Sequence, residues 1–364
     1  MWNEITLNNI REASEFVWNS NLCWKTPMLT RVRDVFRAQL SHLPNNINVW
    51  LKLESAQNTY CYKIRGACVQ MSRKLENNST NQSDESKDSS TSTSQSKSVS
   101  FVCYSGGNYG SAFATVAKEL GVGGTVVMPT HVPHRRIELL KSLGAKVELQ
   151  PQDSLVTTVQ SLVENQRMIP LHPFDDINLI LGHGSLALEI IENVPKPDLV
   201  LVPIGGGGLI SGISVALRLA GCHTTTIVGI EPETSNVMYQ SLRKGRPTVL
   251  YDAHSVAVGT CAPNAGEITY PIIAECVNRV ALVNDFDILT TLKLCYDRLR
   301  LVLEPTGVVA LAALFKRGLL APELAQIARN KQAEPVNVVV VISGANVGWQ
   351  EFEQYMNDAN NIKM

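Results

Sequence analysis

Lys63 stands between Tyr62 and Ile64 in the run Asn58-Thr-Tyr-Cys-Tyr-Lys63-Ile-Arg-Gly-Ala67, which turns into a helix. A lysine is ordinarily a solvated charge. One desolvated beside a phosphate-binding turn is instead a neutral nucleophile able to condense with a carbonyl. Such a turn is present. Gly205 to Gly208 separate the apolar run Asp198-Leu-Val-Leu-Val-Pro-Ile204 from the helix-like stretch Leu209 to Ala220. With no Cβ in the way, several backbone N–H groups can converge on an anion there, and the following helix adds the positive end of its dipole. The glycine spacing fits neither a dinucleotide fingerprint nor a P-loop. A flexible strand–helix connection is the alternative.

Two other loops also follow apolar strands. In Ser105-Gly-Gly-Asn-Tyr-Gly110 the amides at a helix start suit a carboxylate, and Asn108 offers a neutral hydrogen-bonding group. In Ser343-Gly-Ala-Asn346 the Ser343 hydroxyl lies at a strand tip. Both are equally good turn or capping chemistry.

The elements that must position these groups alternate between strand and helix. Strands are expected at 99–104, 124–128, 145–149, 199–204, 226–230 and 336–342. Helices are expected at 111–120, 133–143, 154–166, 177–191 and 288–303. Short strands separated by helices of ten to fifteen residues imply parallel sheets covered on both faces. The fold class is α/β, in two lobes with a cleft between them. Glu76 to Ser98 is a polar tract without apolar side chains to offset its ordering entropy, and a disordered surface insertion is expected there.

Composition restricts the function. The chain has 364 residues, 45% hydrophobic and 18% charged, with a formal net charge of -1. No basic field points to nucleic acid or to an anionic membrane. No apolar run reaches membrane-spanning length, and Met1-Trp-Asn-Glu-Ile-Thr lacks the pattern of a secretion signal. Eight scattered cysteines without a CxxC pair read as buried thiols in a cytoplasmic protein, not as a disulfide framework or metal site.

Taken in order, Lys63-Ile-Arg-Gly-Ala67, Ser105-Gly-Gly-Asn-Tyr-Gly110, Gly205-Gly-Gly-Gly-Leu209 and Ser343-Gly-Ala-Asn346 resemble the pyridoxal-phosphate enzymes of the threonine dehydratase and serine racemase family. Thr26-Pro-Met-Leu29, Leu171-His-Pro-Phe-Asp-Asp176, Gly182-His-Gly-Ser-Leu-Ala-Leu-Glu189, Glu231-Pro232 and Glu304-Pro-Thr-Gly307 also have counterparts. The resemblance runs from about Trp24 to Gly348, broken only by the polar tract.

It implies fold type II, with a large cofactor domain of residues 1–75 plus 176–364, a small mobile domain of 99–175, and 76–98 as an insertion. By resemblance, Lys63 holds pyridoxal 5'-phosphate covalently. The amides of Gly205, Gly206, Gly207, Gly208 and Leu209 cradle its phosphate, Asn108 meets the phenolic oxygen, and Ser343 faces the pyridine nitrogen. Ser105, Gly106, Gly107 and Tyr109 bind the substrate carboxylate, and Lys63 moves the α-proton.

The implied reaction is deamination of L-threonine or L-serine to a 2-oxo acid and ammonia. A racemase, or a cofactor-binding protein with little turnover, is the alternative. A small amino-acid substrate and a homodimer are implied, with no nucleic acid and no membrane. The chain ends soon after the Ser343 loop, so a catabolic enzyme without a carboxy-terminal regulatory domain is expected.

Four positions bear on which member of the family this is. Tyr60-Cys61-Tyr62-Lys63 replaces the family's Gly-Ser-Phe-Lys, which places bulk and a thiol near the cofactor. Gly106 occupies the position of the serine that delivers a proton in racemases. Phe174 sides with the dehydratases, since racemases of the family tend to have asparagine there, and Val237 stands where racemases have the aspartate that joins Glu231 at their cation site, so no metal is expected.

Overall fold

The computed structural model describes residues 4–85, 99–331 and 334–361. Its strands are β1 (Met28–Leu29), β2 (Ile47–Leu53), β3 (Ser100–Tyr104), β4 (Gly123–Pro129), β5 (Lys146–Gln150), β6 (Ile169–Pro170), β7 (Leu199–Pro203), β8 (Thr226–Pro232), β9 (Arg279–Val283) and β10 (Val336–Ile342). They form a six-stranded sheet in the order β1-β2-β10-β7-β8-β9 and a four-stranded sheet in the order β5-β4-β3-β6. Every pairing is parallel except β1 with β2.

The apolar runs explain this layering. In β10, Val339 and Val341 enter one core cluster while Val338, Val340 and Ile342 enter another, so alternate side chains are buried on opposite faces. The first face is covered by helices Ile177–Asn193 and Gly208–Leu219, and the second by Asp285–Leu299 and Pro305–Phe315. In the smaller sheet, Val102 and Val127 pack with Leu155, Val159 and Leu162 of helix Leu155–Gln166. Phe101, Cys103 and Met128 point the other way, into the core shared with helices Asn108–Glu119 and Lys63–Glu85. The α/β expectation holds, with helices on both faces of parallel sheets.

Some element ends differ from the sequence expectation. The helix expected from Ser111 begins at Asn108, because the Ser105 hydroxyl accepts from the N–H groups of Gly107 and Gly110 and starts the turn early. The helix expected at 288–303 spans Asp285–Leu299, because Asn284 and Asp287 form a reciprocal capping box.

The polar tract is corrected in part. Its first ten residues, 76–85, continue helix Lys63–Glu85, and residues 86–98 lie outside the described residues. Residues 64–72 are all buried, so the start of that helix is enclosed on every side, and once it is nucleated, further polar residues extend it at little cost. Among the described residues, no helix is long and apolar enough to cross a membrane. All eight cysteines are free, seven of them buried.

Candidate active site

In parallel sheets the loops after the strands share one edge, where ligands bind. The Lys63 segment follows β2, the Ser105 loop follows β3, the glycine turn follows β7, and Ser343 follows β10. Adjacent β2 and β10 join their loops directly. Tyr62 N–H donates to the Ser343 carbonyl at 3.3 Å, and Cys61 bridges Gly344.

Lys63 opens helix Lys63–Glu85, which crosses its neighbours at backbone contact. A Cβ on Gly182 would lie 2.4 Å from the Arg65 carbonyl oxygen, and one on Gly212 would lie 2.5 Å from that of Ile180. The Lys63 helix, helix Ile177–Asn193 and the glycine-turn helix are thereby locked to one another. The Lys63 Nζ donates to the Pro173 carbonyl at 2.9 Å and lies 5.2 Å and 5.9 Å from the ring centres of Tyr62 and Tyr109. Burial holds its ammonium down to about 8, so a neutral amine is accessible near physiological pH. His183 packs edge-on against Tyr62 at 4.9 Å, and burial together with the Lys63 and Arg65 charges keeps it neutral.

In the glycine turn, packing adds a reason for the missing side chains that sequence alone does not contain. A Cβ on Gly206 would lie 2.2 Å from the Phe174 ring, and one on Gly208 would lie 2.6 Å from the Phe174 carbonyl oxygen. Gly207 has φ 98°, in the left-handed region. Thr269 Oγ1 donates to the Gly206 carbonyl at 2.7 Å, and Asp175 accepts from the N–H groups of Glu267, Ile268 and Thr269 to brace that contact. The room at Gly206 thus goes to Phe174. Among the described residues, the N–H groups of Gly205, Gly206 and Gly207 have no acceptor, and they precede a twelve-residue helix. Gly206→Ala is expected to displace Phe174 and cost about 1–3 kcal/mol, read as a lower melting temperature together with weaker retention of pyridoxal phosphate. Unchanged stability and retention would show that the ring moves aside freely.

The Ser105 loop also divides its donors. Ser105 Oγ takes the amides of Gly107 and Gly110, leaving those of Gly106, Asn108 and Tyr109 without an acceptor among the described residues. The Tyr109 side chain is buried, and its hydroxyl donates to Gln70 Oε1 at 2.5 Å. Asn108 Nδ2 donates to Glu304 Oε1 at 2.7 Å. Arg136 donates to the Gly106 carbonyl at 3.1 Å and pairs with Glu351 at 3.4 Å. Neither Glu304 nor Arg136 is singled out by the sequence as a site residue. Glu304 stands in the sequence as the first residue of the motif Glu304-Pro-Thr-Gly307, just before a helix-starting proline, and nothing local pairs it with Asn108.

The Ser343 hydroxyl is buried and donates to the Thr306 carbonyl at 3.2 Å. The departures take different places. The Tyr60 side chain is 62% exposed and its backbone has φ 55°, a conformation that favours the family's glycine; its ring turns to solvent and does not crowd the site. Cys61 is buried, and burial with the Glu304 charge pushes its thiol up, so it is not a thiolate. Both carboxylate oxygens of Glu231 accept from the amides of Met238 and Tyr239, at 2.9 and 2.8 Å. Among the described residues, no group of three or more His, Cys, Asp or Glu side chains is placed to hold a metal ion.

A desolvated amine, unpartnered amides at a helix start and neutral Asn108 and Ser343 fit an aldehyde-bearing aromatic phosphate. The comparisons agree. A family model described as pyridoxal-phosphate dependent enzyme matches residues 23–344. An L-threonine ammonia-lyase of Thermotoga maritima is 28% identical over 355 residues, covering 97% of this chain and 78% of that protein. A serine racemase of Oryza sativa subsp. indica is 30% identical over 348 residues, covering 94% and 91%. The solved structure of maize serine racemase has a TM-score of 0.79 at 25% identity over 97% of both chains. Fold, motifs and relatives lead to one conclusion: the chain belongs to the family of pyridoxal-phosphate dependent enzymes.

Proposed function

We propose that this enzyme removes water and then ammonia from a small hydroxy amino acid, L-threonine and/or L-serine, to give a 2-oxo acid. The cofactor, when bound, supplies the electron sink that makes the substrate's α-proton acidic. Lys63 would hold it and, with its amine free, would take that proton. The amides of Gly205 to Leu209 would hold the cofactor phosphate, Asn108 its phenolic oxygen, and Ser343 would offer the pyridine nitrogen a hydroxyl that carries no charge. The amides of Gly106, Asn108 and Tyr109 hold the substrate carboxylate, in the loop that also contains Ser105 and Gly107.

One observation carries elimination over racemisation. Inverting the α-carbon needs a proton donor on each face. Gly106 has none, and a Cβ there would lie 3.3 Å from Val132 Cγ1. Of the two hydroxyls in this loop, that of Ser105 is turned into the loop itself, accepting from Gly107 and Gly110 and donating to the Gly107 carbonyl, and that of Tyr109 gives its proton to Gln70. The smaller sheet falls wholly within 99–175, and we take that segment as a small domain closing on residues 1–75 plus 176–364, in a homodimer.

The test is a substrate panel on the loaded enzyme. Pyruvate from L-serine or 2-oxobutyrate from L-threonine, with equimolar ammonia, is the expected result. D-serine accumulating faster than keto acid overturns the assignment, and so does a coloured protein with no turnover of either amino acid.

A further inference from the structure

Glu304 is the last residue before helix Pro305–Phe315, at its N-cap position, yet its side chain makes no capping bond there. It reaches across the cleft edge to Asn108, the first residue of helix Asn108–Glu119. Its carboxylate therefore lies between two helix N-termini, each of which favours a negative charge. The space is reserved for it: a Cβ on Gly344 would lie 2.1 Å from Glu304 Oε1. Glu304 N–H also donates to the Gly344 carbonyl at 3.4 Å, tying the carboxylate to the Ser343 loop.

We infer that Glu304 is a positioning residue for the cofactor: by accepting from Asn108 Nδ2 it holds that amide in one orientation, with the second Nδ2 proton presented to the cofactor's phenolic oxygen. This rests on the proposed place of Asn108 against the cofactor. An amide has a donor end and an acceptor end of nearly equal shape, so its orientation is decided by its partners. An ionised carboxylate only accepts, so it selects the donor end. A protonated one can donate to Asn108 Oδ1 and reverse the amide, presenting an acceptor to an acceptor.

The carboxyl is poised between these states. Burial pushes it up to about 7, against the opposing effects of the Asn108 bond, the Arg136 charge and a bond from the Asn346 backbone N–H, while Glu351 pushes it further up. Cys61, Tyr62 and Tyr355 are the other titratable groups that feel it, and burial holds all three in their neutral forms at pH 7. Below about pH 7 the orienting acceptor is therefore lost, and above it the acceptor is present.

The experiment is a double-mutant cycle on apoprotein titrated with pyridoxal phosphate, reading the visible band and the dissociation constant without substrate. Losing a hydrogen bond to a charged group is worth about tenfold, so Glu304→Ala and Asn108→Ala are each expected to weaken the cofactor by about that factor. The double variant is expected to be within about twofold of Asn108→Ala, since Glu304 acts only through the amide. Glu304→Gln keeps an acceptor oxygen without titrating. Its band is expected to lose the wild-type change centred near pH 7, and this arm stands even where Glu304→Ala fails to fold. Multiplying single-variant effects, or an unaltered pH step in Glu304→Gln, overturns the inference alone. A wild-type protein that never acquires a visible band overturns the site assignment as well.

Discussion

Replacing Lys63 by alanine is expected to remove the visible band of the cofactor-loaded protein and to lower turnover by at least about 10³-fold. On the proposed roles the variant loses two functions at once, the covalent hold on the cofactor and the carrier of the α-proton. Its fold should survive. Lys63 is the first residue of its helix, and among the described residues its side chain makes one hydrogen bond and no ion pair. Removing a desolvated ammonium also relieves a charge that burial disfavours. In the wild-type apoprotein, the rate of cofactor capture should rise with pH through about 8, because the neutral amine is the nucleophile and burial sets its titration there. The check is absorbance together with a thermal melt. A Lys63→Ala protein that keeps the band assigns the cofactor to another amine.

The second large effect concerns stability. Arg65→Met is expected to cost about 3–5 kcal/mol, measured by urea or thermal unfolding. Arg65 is fully buried and forks between two buried carboxylates. Its Nε and Nη2 donate to Glu54 at 2.7 and 3.0 Å, and its Nη1 and Nη2 donate to Glu189 at 2.6 and 3.0 Å. Lys52, also buried, adds a contact to Glu189 at 2.5 Å, and Thr26 and Trp18 fill the remaining acceptor sites of the two carboxylates. The four charges cancel only together. Without Arg65, two buried carboxylates share one lysine, and the unpaired charge accounts for most of the cost.

The pH dependence follows. Burial pushes the Glu189 carboxyl up, but the charges and hydrogen bonds of Arg65 and Lys52 outweigh it and hold the group below its ordinary value. A depressed folded value means stability that is present above the unfolded value of about 4.3 and lost as pH falls through the folded one. Wild type should therefore lose stability steeply in acid below that point, and Arg65→Met less steeply. Equal acid slopes would show that Arg65 does not govern Glu189.

How much of this was legible in the sequence varies from residue to residue. Lys63, Asn108, the glycines and Ser343 are legible through the order of their motifs and its resemblance to a known family, because locally the loops are also ordinary turn or capping chemistry and a lysine is ordinarily a solvated charge. Phe174 could be quoted from its motif, but not its seat against Gly206, because that contact joins loops of the two sheets. Tyr60 was read as bulk over the cofactor; the left-handed backbone at φ 55° turns its ring outward, and a backbone dihedral is not visible in residue type. Helix Lys63–Glu85 outran its apolar residues because a nucleated helix carries polar ones with it.

By itself, the sequence determined the parallel α/β class and the order of the loops, because hydrophobic period and turn composition act between neighbours in the chain; the lysine–glycine chemistry came from the resemblance of those loops, taken in order, to a known family. The tertiary structure alone decided which polar groups lose water and whom they then meet. Arg65 pairs with Glu189, 124 residues away, and Asn108 with Glu304, 196 residues away. Burial is a property of everything packed around a group, so the ionisation of Lys63, Glu189 and Glu304 takes shape only once the helices have closed over them.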